Sequence, residues 1–177
     1  MKIGIDISQT AYEGTGVSEY MISLLQNLTT VDSKNEYILF FSSLREKTPQ
    51  KIRALTINKN VTIKEYKIPL RVLDIVWNRL HIIPIELFVG SVDIFISSDW
   101  VFPPTFSAKK VTILYDLIIY KYPRETDQQI IDTQKRRLEW VKKECDRVIC
   151  ISEATKKDAI NILNLKDSVL QVIYPGI

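Results

Sequence analysis

Four short segments of this 177-residue chain carry side chains suited to chemistry, each just past an apolar run of the kind that forms a strand. Gly14-Thr15-Gly16 stands directly before a run with helical spacing. A helix start offers free N–H groups and the positive end of the helix dipole, and glycines let a phosphate come close. A diphosphate is therefore the natural tenant, although a flexible turn before a helix accounts for the glycines equally well. The dinucleotide fingerprint fails, because Glu19 occupies the place of its third glycine. Ser97-Ser98-Asp99-Trp100 is the second segment and Tyr115-Asp116-Leu117 the third. An Asp just past a strand end can hold a ligand hydroxyl or orient a catalytic group, and it can equally brace a loop. The fourth, Ser152-Glu153, joins a strand to a helix. Ser152 is a good N-cap, and a glutamate in the first helical turn favours the dipole, so capping explains this pair without any ligand.

Other chemistries are poorly supplied. The single histidine, His81, rules out a His-rich metal site and has no evident partner for a Ser–His–Asp or Cys–His set, so no metal and no cofactor are expected. It lies in an apolar stretch and reads as a packed or surface side chain. Cys145 and Cys150 lack the CxxC spacing and read as reduced, structural thiols in a cytoplasmic protein. The net charge of +3 is too balanced, and the basic residues too scattered, to argue for nucleic acid. Lys135-Arg136-Arg137 and Lys142-Lys143 read as the solvated face of a helix. A weak attraction to an anionic membrane surface stays open. The start MKIGIDISQT has no long apolar segment of a signal peptide, and no run of about 18 apolar residues is present to span a membrane. The Trp77, Ile82, Ile83 and Ile85 cluster reads as core rather than a membrane face.

The elements that must position these residues alternate between apolar runs and helical patterns, which points to a parallel α/β sheet. Strands are expected at 2–7, 37–41, 61–66, 92–97, 111–115, 147–151 and 169–174. The run 37–41 is apolar throughout and should be buried on both faces, whereas 61–66 alternates and should lie nearer an edge. Val17, Tyr20, Met21, Leu24, Leu25 and Leu28 share one helical face. A short helix is expected in 44–55, broken by Pro49, and a longer one over 70–88, interrupted near Pro84. The stretch 126–145 should be a long amphipathic helix with Ile130, Ile131, Gln134, Leu138, Val141 and Cys145 on its stripe. A further helix should run from Ser152 to about Leu163. An open sheet of this kind binds ligands at the carboxyl ends of its strands, where all four segments fall.

Taken in order, these segments resemble group 1 (family 4) glycosyltransferases of the GT-B fold. The resemblance runs nearly the whole chain. It is carried by Ile3-Gly4-Ile5-Asp6, Thr15-Gly16-Val17-Ser18-Glu19-Tyr20, Glu36-Tyr37-Ile38-Leu39-Phe40, Val92-Asp93-Ile94-Phe95, Pro103-Pro104 and Tyr115-Asp116-Leu117. It continues through Cys145-Asp146-Arg147-Val148-Ile149-Cys150-Ile151-Ser152-Glu153 and Val172-Ile173-Tyr174-Pro175-Gly176. It implies a single Rossmann-like N-terminal domain over 1–177 that binds the acceptor, with the donor-binding C-terminal domain absent. Catalysis of hexose transfer would then need the full-length protein, and the fragment alone is expected to be inactive. The resemblance implies that Asp116 and Tyr115 serve the catalytic, acceptor side. Gly14, Thr15 and Gly16 would approach a donor phosphate, and Asp99, Ser152 and Glu153 would bind substrate or face the cleft. The implied partners are a nucleotide diphosphate sugar and a glycan or lipid-linked acceptor, with a mannose- or rhamnose-like donor. The implied place is the cytoplasm, peripheral to the inner membrane face. The face meant for a second domain is expected to drive self-association of the isolated chain. Three positions depart from the family pattern. Tyr115 and Ile96 stand where its histidines are usual, and Glu19 where an arginine is common. A non-catalytic interaction module of the same fold and a nucleotide-dependent oxidoreductase are the rival readings. The second is disfavoured by the failed fingerprint and by Phe41-Ser42-Ser43, which offers no acid at the end of its strand.

Overall fold

The structure is a computed structural model and describes residues 1–176. Seven strands form one sheet in which every neighbouring pair is parallel. They are β1 (Lys2–Asp6), β2 (Glu36–Ser42), β3 (Val61–Tyr66), β4 (Ile94–Ser97), β5 (Lys109–Leu114), β6 (Arg147–Cys150) and β7 (Leu170–Val172). The helices between them are α1 (Gly16–Val31), α2 (Gln50–Arg53), α3 (Leu70–Leu73), α4 (Glu86–Val89), α5 (Ile118–Lys121), α6 (Gln128–Glu144) and α7 (Glu153–Leu163). The spatial order is β3-β2-β1-β4-β5-β6-β7. The chain therefore winds outward from β1 to β3, then returns to β1 and winds the other way. The order reverses between β1 and β4, which is where open α/β sheets form a crevice.

The expected Rossmann-like α/β class and all seven strands are present, and β3 lies at the sheet edge. β2 is buried on both faces as its apolar run requires. Tyr37, Leu39 and Phe41 pack with Met21, Ile22 and Leu25 of α1, while Phe40 packs with Trp77, Val89 and Phe95 on the opposite side. The deep line of α1 is Ser18, Met21, Ile22, Leu25 and Thr29, one step round from the apolar face that the sequence pattern predicts. Thr29 joins it because its hydroxyl donates to the Leu25 carbonyl at 2.8 Å, which satisfies the buried oxygen within the helix.

The helix expected over 70–88 stops earlier. α3 continues as a wide, π-type turn over Asp74–Arg79, and the chain leaves the helix at Leu80. His81 and Ile83 take positive φ, 51° and 63°. Ile83 precedes Pro84, whose ring disfavours helical backbone before it. The His81 ring stacks on Trp140 at 3.7 Å, and its nitrogens lie 2.8 Å from the Trp77 carbonyl and 3.0 Å from Glu144. It is thus a packed histidine, as expected. Trp77 and Ile85 are core, but Ile82 and Ile83 are partly exposed and do not belong to it. α5 has no counterpart among the expected elements; four residues are too few for a readable period.

Gly4 sits in the middle of β1, opposite Ile38 on one side and Phe95 on the other. A Cβ there would meet Phe95 Cδ2 at 2.7 Å and Val92 Cγ1 at 3.5 Å. Phe95 is buried and cannot swing away freely. Gly4→Ala is expected to destabilise by roughly 1–3 kcal/mol through overpacking. Urea unfolding checks it; an unchanged midpoint would mean that Phe95 yields without cost.

Candidate functional site

β1 ends at the reversal point in Asp6, which retains 1% of its surface. Its Oδ1 accepts from the Ser8 N–H at 2.9 Å and the Ser8 hydroxyl at 2.6 Å. Ser8 Oγ in turn accepts from the Ser42 N–H at 3.0 Å, tying the end of β2 to that of β1. A single 3₁₀ turn over Ser8–Ala11 follows the carboxyl end of β1 and buries Gln9, 2% exposed. Asp6 Oδ2, both amide atoms of Gln9 and Ser97 Oγ are buried without a hydrogen-bond partner. Such atoms are a small minority in folded proteins. Asp6, Gln9 and Ser98 line a cleft of about 770 Å³, flanked by Trp100, Tyr12 and the start of α6 at Asp127.

Burial pushes the Asp6 carboxyl above its ordinary value, and the hydrogen bonds from Ser8 hold part of the shift back. A raised folded value means that the fold favours the neutral acid. Its contribution is complete below the ordinary value of 3.8 and is lost as pH rises toward the folded one. The unfolding free energy of wild type minus that of Asp6→Asn, followed by urea melts between about pH 3 and 7, should therefore fall with rising pH. A difference that rises with pH would contradict the assignment.

Beneath this site lies Arg137, with no exposed surface. From α6 its Nε donates to the Ser98 carbonyl at 3.1 Å, and its terminal nitrogens donate to Thr112 Oγ1 at 2.6 Å and Gln134 Oε1 at 3.4 Å. Gln134 Nε2 donates to the Asp99 carbonyl at 2.7 Å. α6 thus holds Ser98-Asp99 from below by two side chains. The Asp99 carboxylate stands 3.8 Å from the guanidinium. Burial pushes Asp99 up, Arg137 opposes that, and Asp116 adds to it. The solvated face expected for Arg137 is thereby corrected. The residue lies three positions after Gln134 and four before Val141, within the buried stripe, and that spacing is the signal a sequence offers for it.

Tyr115 directs its hydroxyl inward, where it is buried and unpartnered. The ring meets Tyr20 edge-on at 5.4 Å. Gln9 lies beside the hydroxyl, yet neither side completes a hydrogen bond. Burial, and after it Asp99, raises the phenol above its ordinary range. Asp116 is exposed and its Oδ1 accepts from the Ile118 N–H at 3.0 Å, bracing the turn into α5. Thr15 is the N-cap of α1, accepting from the Ser18 N–H at 3.3 Å. Gly14 has φ +78°, and both Gly14 and Gly16 have open space where a Cβ would stand. Ser152 caps α7 through the Thr155 N–H at 3.1 Å, and Glu153 is exposed in its first turn.

A second cleft, of about 730 Å³, lies between α1 and the end of the described chain; Gly16, Tyr20, Tyr115, Ile151 and Tyr174 line it. Of the residues that the sequence singles out, the structure brings Tyr115 and Gly16 together there. Gly14, Thr15, Asp99, Asp116, Ser152 and Glu153 line neither cleft. Gln9 stands between the two, lining the first and touching the Tyr115 side of the second. Sequence reasoning does not find Asp6 and Gln9 as site residues. Asp6 reads as part of a strand, and Gln9 is polar in a segment that reads as loop. Burial pushes the Cys145 thiol up to about 12 and the Cys150 thiol to about 11, so neither is a ready nucleophile. Among the described residues no three His, Cys, Asp or Glu side chains are grouped to hold a metal ion, and no helix is long and apolar enough to cross a membrane.

No protein-family model matches the chain, and no curated protein matches it either.

Proposed function

We propose that this chain is the acceptor-binding half of a glycosyltransferase. The whole enzyme would move a mannose- or rhamnose-like hexose from a nucleotide diphosphate sugar to a glycan or lipid-linked acceptor, in polysaccharide or glycoconjugate assembly. The observation that carries the reading is the cleft at the β1/β4 reversal, with unpartnered buried polar atoms on its floor and Trp100 at its side. A sugar has that pattern in reverse. Its hydroxyls donate and accept at once, and its C–H face packs on an aromatic ring. The volume admits a ligand of one or two rings. In this reading Gly16 and the free N–H groups of α1 approach the donor diphosphate, and Tyr115 lies between donor and acceptor. Cytoplasmic placement, peripheral to a membrane, belongs to the same reading. So does self-association of the isolated chain, which light scattering at high concentration tests; a monomer there speaks against it.

One observation favours the non-catalytic interaction module instead: Asp116 is engaged in bracing a turn and is exposed outside both clefts. A thermal-shift screen separates the readings. Hexosides or glycan fragments should raise the melting temperature, by an amount equivalent to about 2.7 kcal/mol at a hundred times Kd. NAD and NADP should not. Stabilisation by the dinucleotides alone would restore the oxidoreductase, and no stabilisation by any sugar would favour the module.

A further inference from the structure

The chain between β3 and β4 presents apolar side chains that the fold does not cover. In α3 and the wide turn that continues it, Leu73, Asp74, Trp77 and Asn78 are buried. Val72, Ile75 and Arg79 are exposed on the outer face, three and four residues apart. Leu80 and Ile82 extend that face. The Ile82 N–H donates to the Val76 carbonyl at 2.9 Å, which ties the loop to the helix end while its side chain stays outside. Leu87 and Phe106 complete the surface, 66% and 69% exposed. Phe106 is held beside α4, because Glu86 Oε1 accepts from its N–H at 2.8 Å and from the Ser107 N–H at 3.2 Å. A cluster of exposed apolar side chains of this kind marks an interaction surface.

The charges around it select the partner. Among the described residues, the carboxylates of this stretch are engaged within the fold. Asp74 is buried between two guanidiniums, Arg79 at 3.3 Å and Arg136 at 2.9 Å. Glu86 is taken up by the loop of Phe106, and Glu144, at the border, by His81 and Lys110. Three cations face outward. Arg71 has no ion-pair partner among the described residues, Arg79 shares its carboxylate with Arg136, and Lys143 lies over the Trp140 ring on which His81 stacks. An apolar surface rimmed by cations and cleared of free carboxylates fits an anionic lipid bilayer. A second copy would bring the same cations face to face, which opposes self-pairing here.

We propose that the surface built from Val72, Ile75, Leu80, Ile82, Leu87 and Phe106 docks this chain on an anionic bilayer. Arg71 also lines the larger cleft, so the surface begins at the cleft wall, and docking holds that cleft beside the lipid headgroups. Under the acceptor-half reading, on which this consequence rests, the acceptor is lipid-linked and reaches the cleft with its tail left in the bilayer.

Co-sedimentation with phosphatidylcholine vesicles, with and without phosphatidylglycerol, tests the docking. The chain should partition onto the anionic vesicles at least about tenfold more strongly than onto the neutral ones, and added salt should weaken it. Phe106→Ser and Leu87→Ser should each lower the partition coefficient about tenfold, and Arg71→Gln about fivefold. These side chains are exposed, so the unfolding midpoint should hold in all three variants. Val31→Ser, exposed at the end of α1, should bind as wild type does. Equal partition onto both vesicles, undiminished binding by the Phe106 and Leu87 variants, or no binding at all would each overturn the inference. So would a dimer in light scattering that those variants dissociate, which would assign the surface to a second copy. None of these outcomes touches the acceptor-half reading, because no sugar takes part. Failure of that reading in the hexoside screen would in turn remove only the consequence for the acceptor.

Discussion

Arg137→Met should lose about 3–5 kcal/mol of unfolding free energy, the penalty for removing one member of a buried charged network. The methionine fills much of the space of the arginine stem, so the loss isolates the guanidinium. Without it the Ser98 carbonyl, Thr112 Oγ1 and Gln134 Oε1 lose their donor, and Asp99 loses its only counter-charge among the described residues. Arg137→Lys should recover little, because an ammonium cannot reach three acceptors set out for a planar fork. Urea unfolding at pH 7 measures both. The loosened segment is Ser97–Trp100, so sugar binding at the cleft should weaken with stability, and hydrogen exchange should quicken first there. A loss under about 1 kcal/mol would show that water replaces the guanidinium, and that the loop after β4 is not held from α6.

Trp77→Ala should cost a similar amount, about 3–5 kcal/mol. Trp77 has no exposed surface and meets the rings of Phe40 and Phe88, each at 5.6 Å between centroids. Its indole N–H also donates to the Ile83 carbonyl at 2.9 Å. Ile83 is one of the two residues held at positive φ where the helix after β3 ends. That bond pins a strained stretch to the core, so the cavity and the release of the 80–85 segment act together. Trp77→Phe keeps most of the ring and removes the donor. It should cost roughly 1–2 kcal/mol, with most of the change in local exchange around Ile83. If alanine and phenylalanine cost the same, the hydrogen bond rather than the ring stack holds this region.

The periodic features are legible in the residues alone. Seven apolar runs mark seven strands, the unbroken run at 37–41 marks a strand covered on both faces, and Ser152 marks a helix start that its side chain does cap. What cannot be read is what depends on strand order. Asp6 and Asp93 both flank apolar runs, yet Asp6 is buried at the reversal of the sheet and Asp93 is exposed, its Oδ2 accepting from the Lys2 N–H at 2.7 Å. Only the return of β4 to the side of β1 distinguishes them. Gln9 is hidden by a 3₁₀ turn with no periodic trace of its own. Arg137 misleads for a different reason. Hydrophobic patterning counts a charge as solvated, whereas here the guanidinium is the means by which α6 is joined to the strands and the loop above it. Ile82 and Ile83 mislead in the opposite sense, as apolar residues on an exposed loop, because the helix that would have buried them ends at Leu80.

The most direct measurement is hexose transfer by the product of the whole reading frame. Labelled nucleotide diphosphate hexoses would be offered with glycan and lipid-linked acceptors, using wild type and Gln9→Leu side by side. Label should pass from at least one donor to an acceptor in the wild type. Gln9→Leu should raise the KM for acceptor about tenfold or more while leaving that for donor unchanged. Transfer with equal acceptor KM in both would remove the cleft at the β1/β4 reversal from acceptor binding. No transfer from any donor, by a folded protein, would contradict the glycosyltransferase assignment itself.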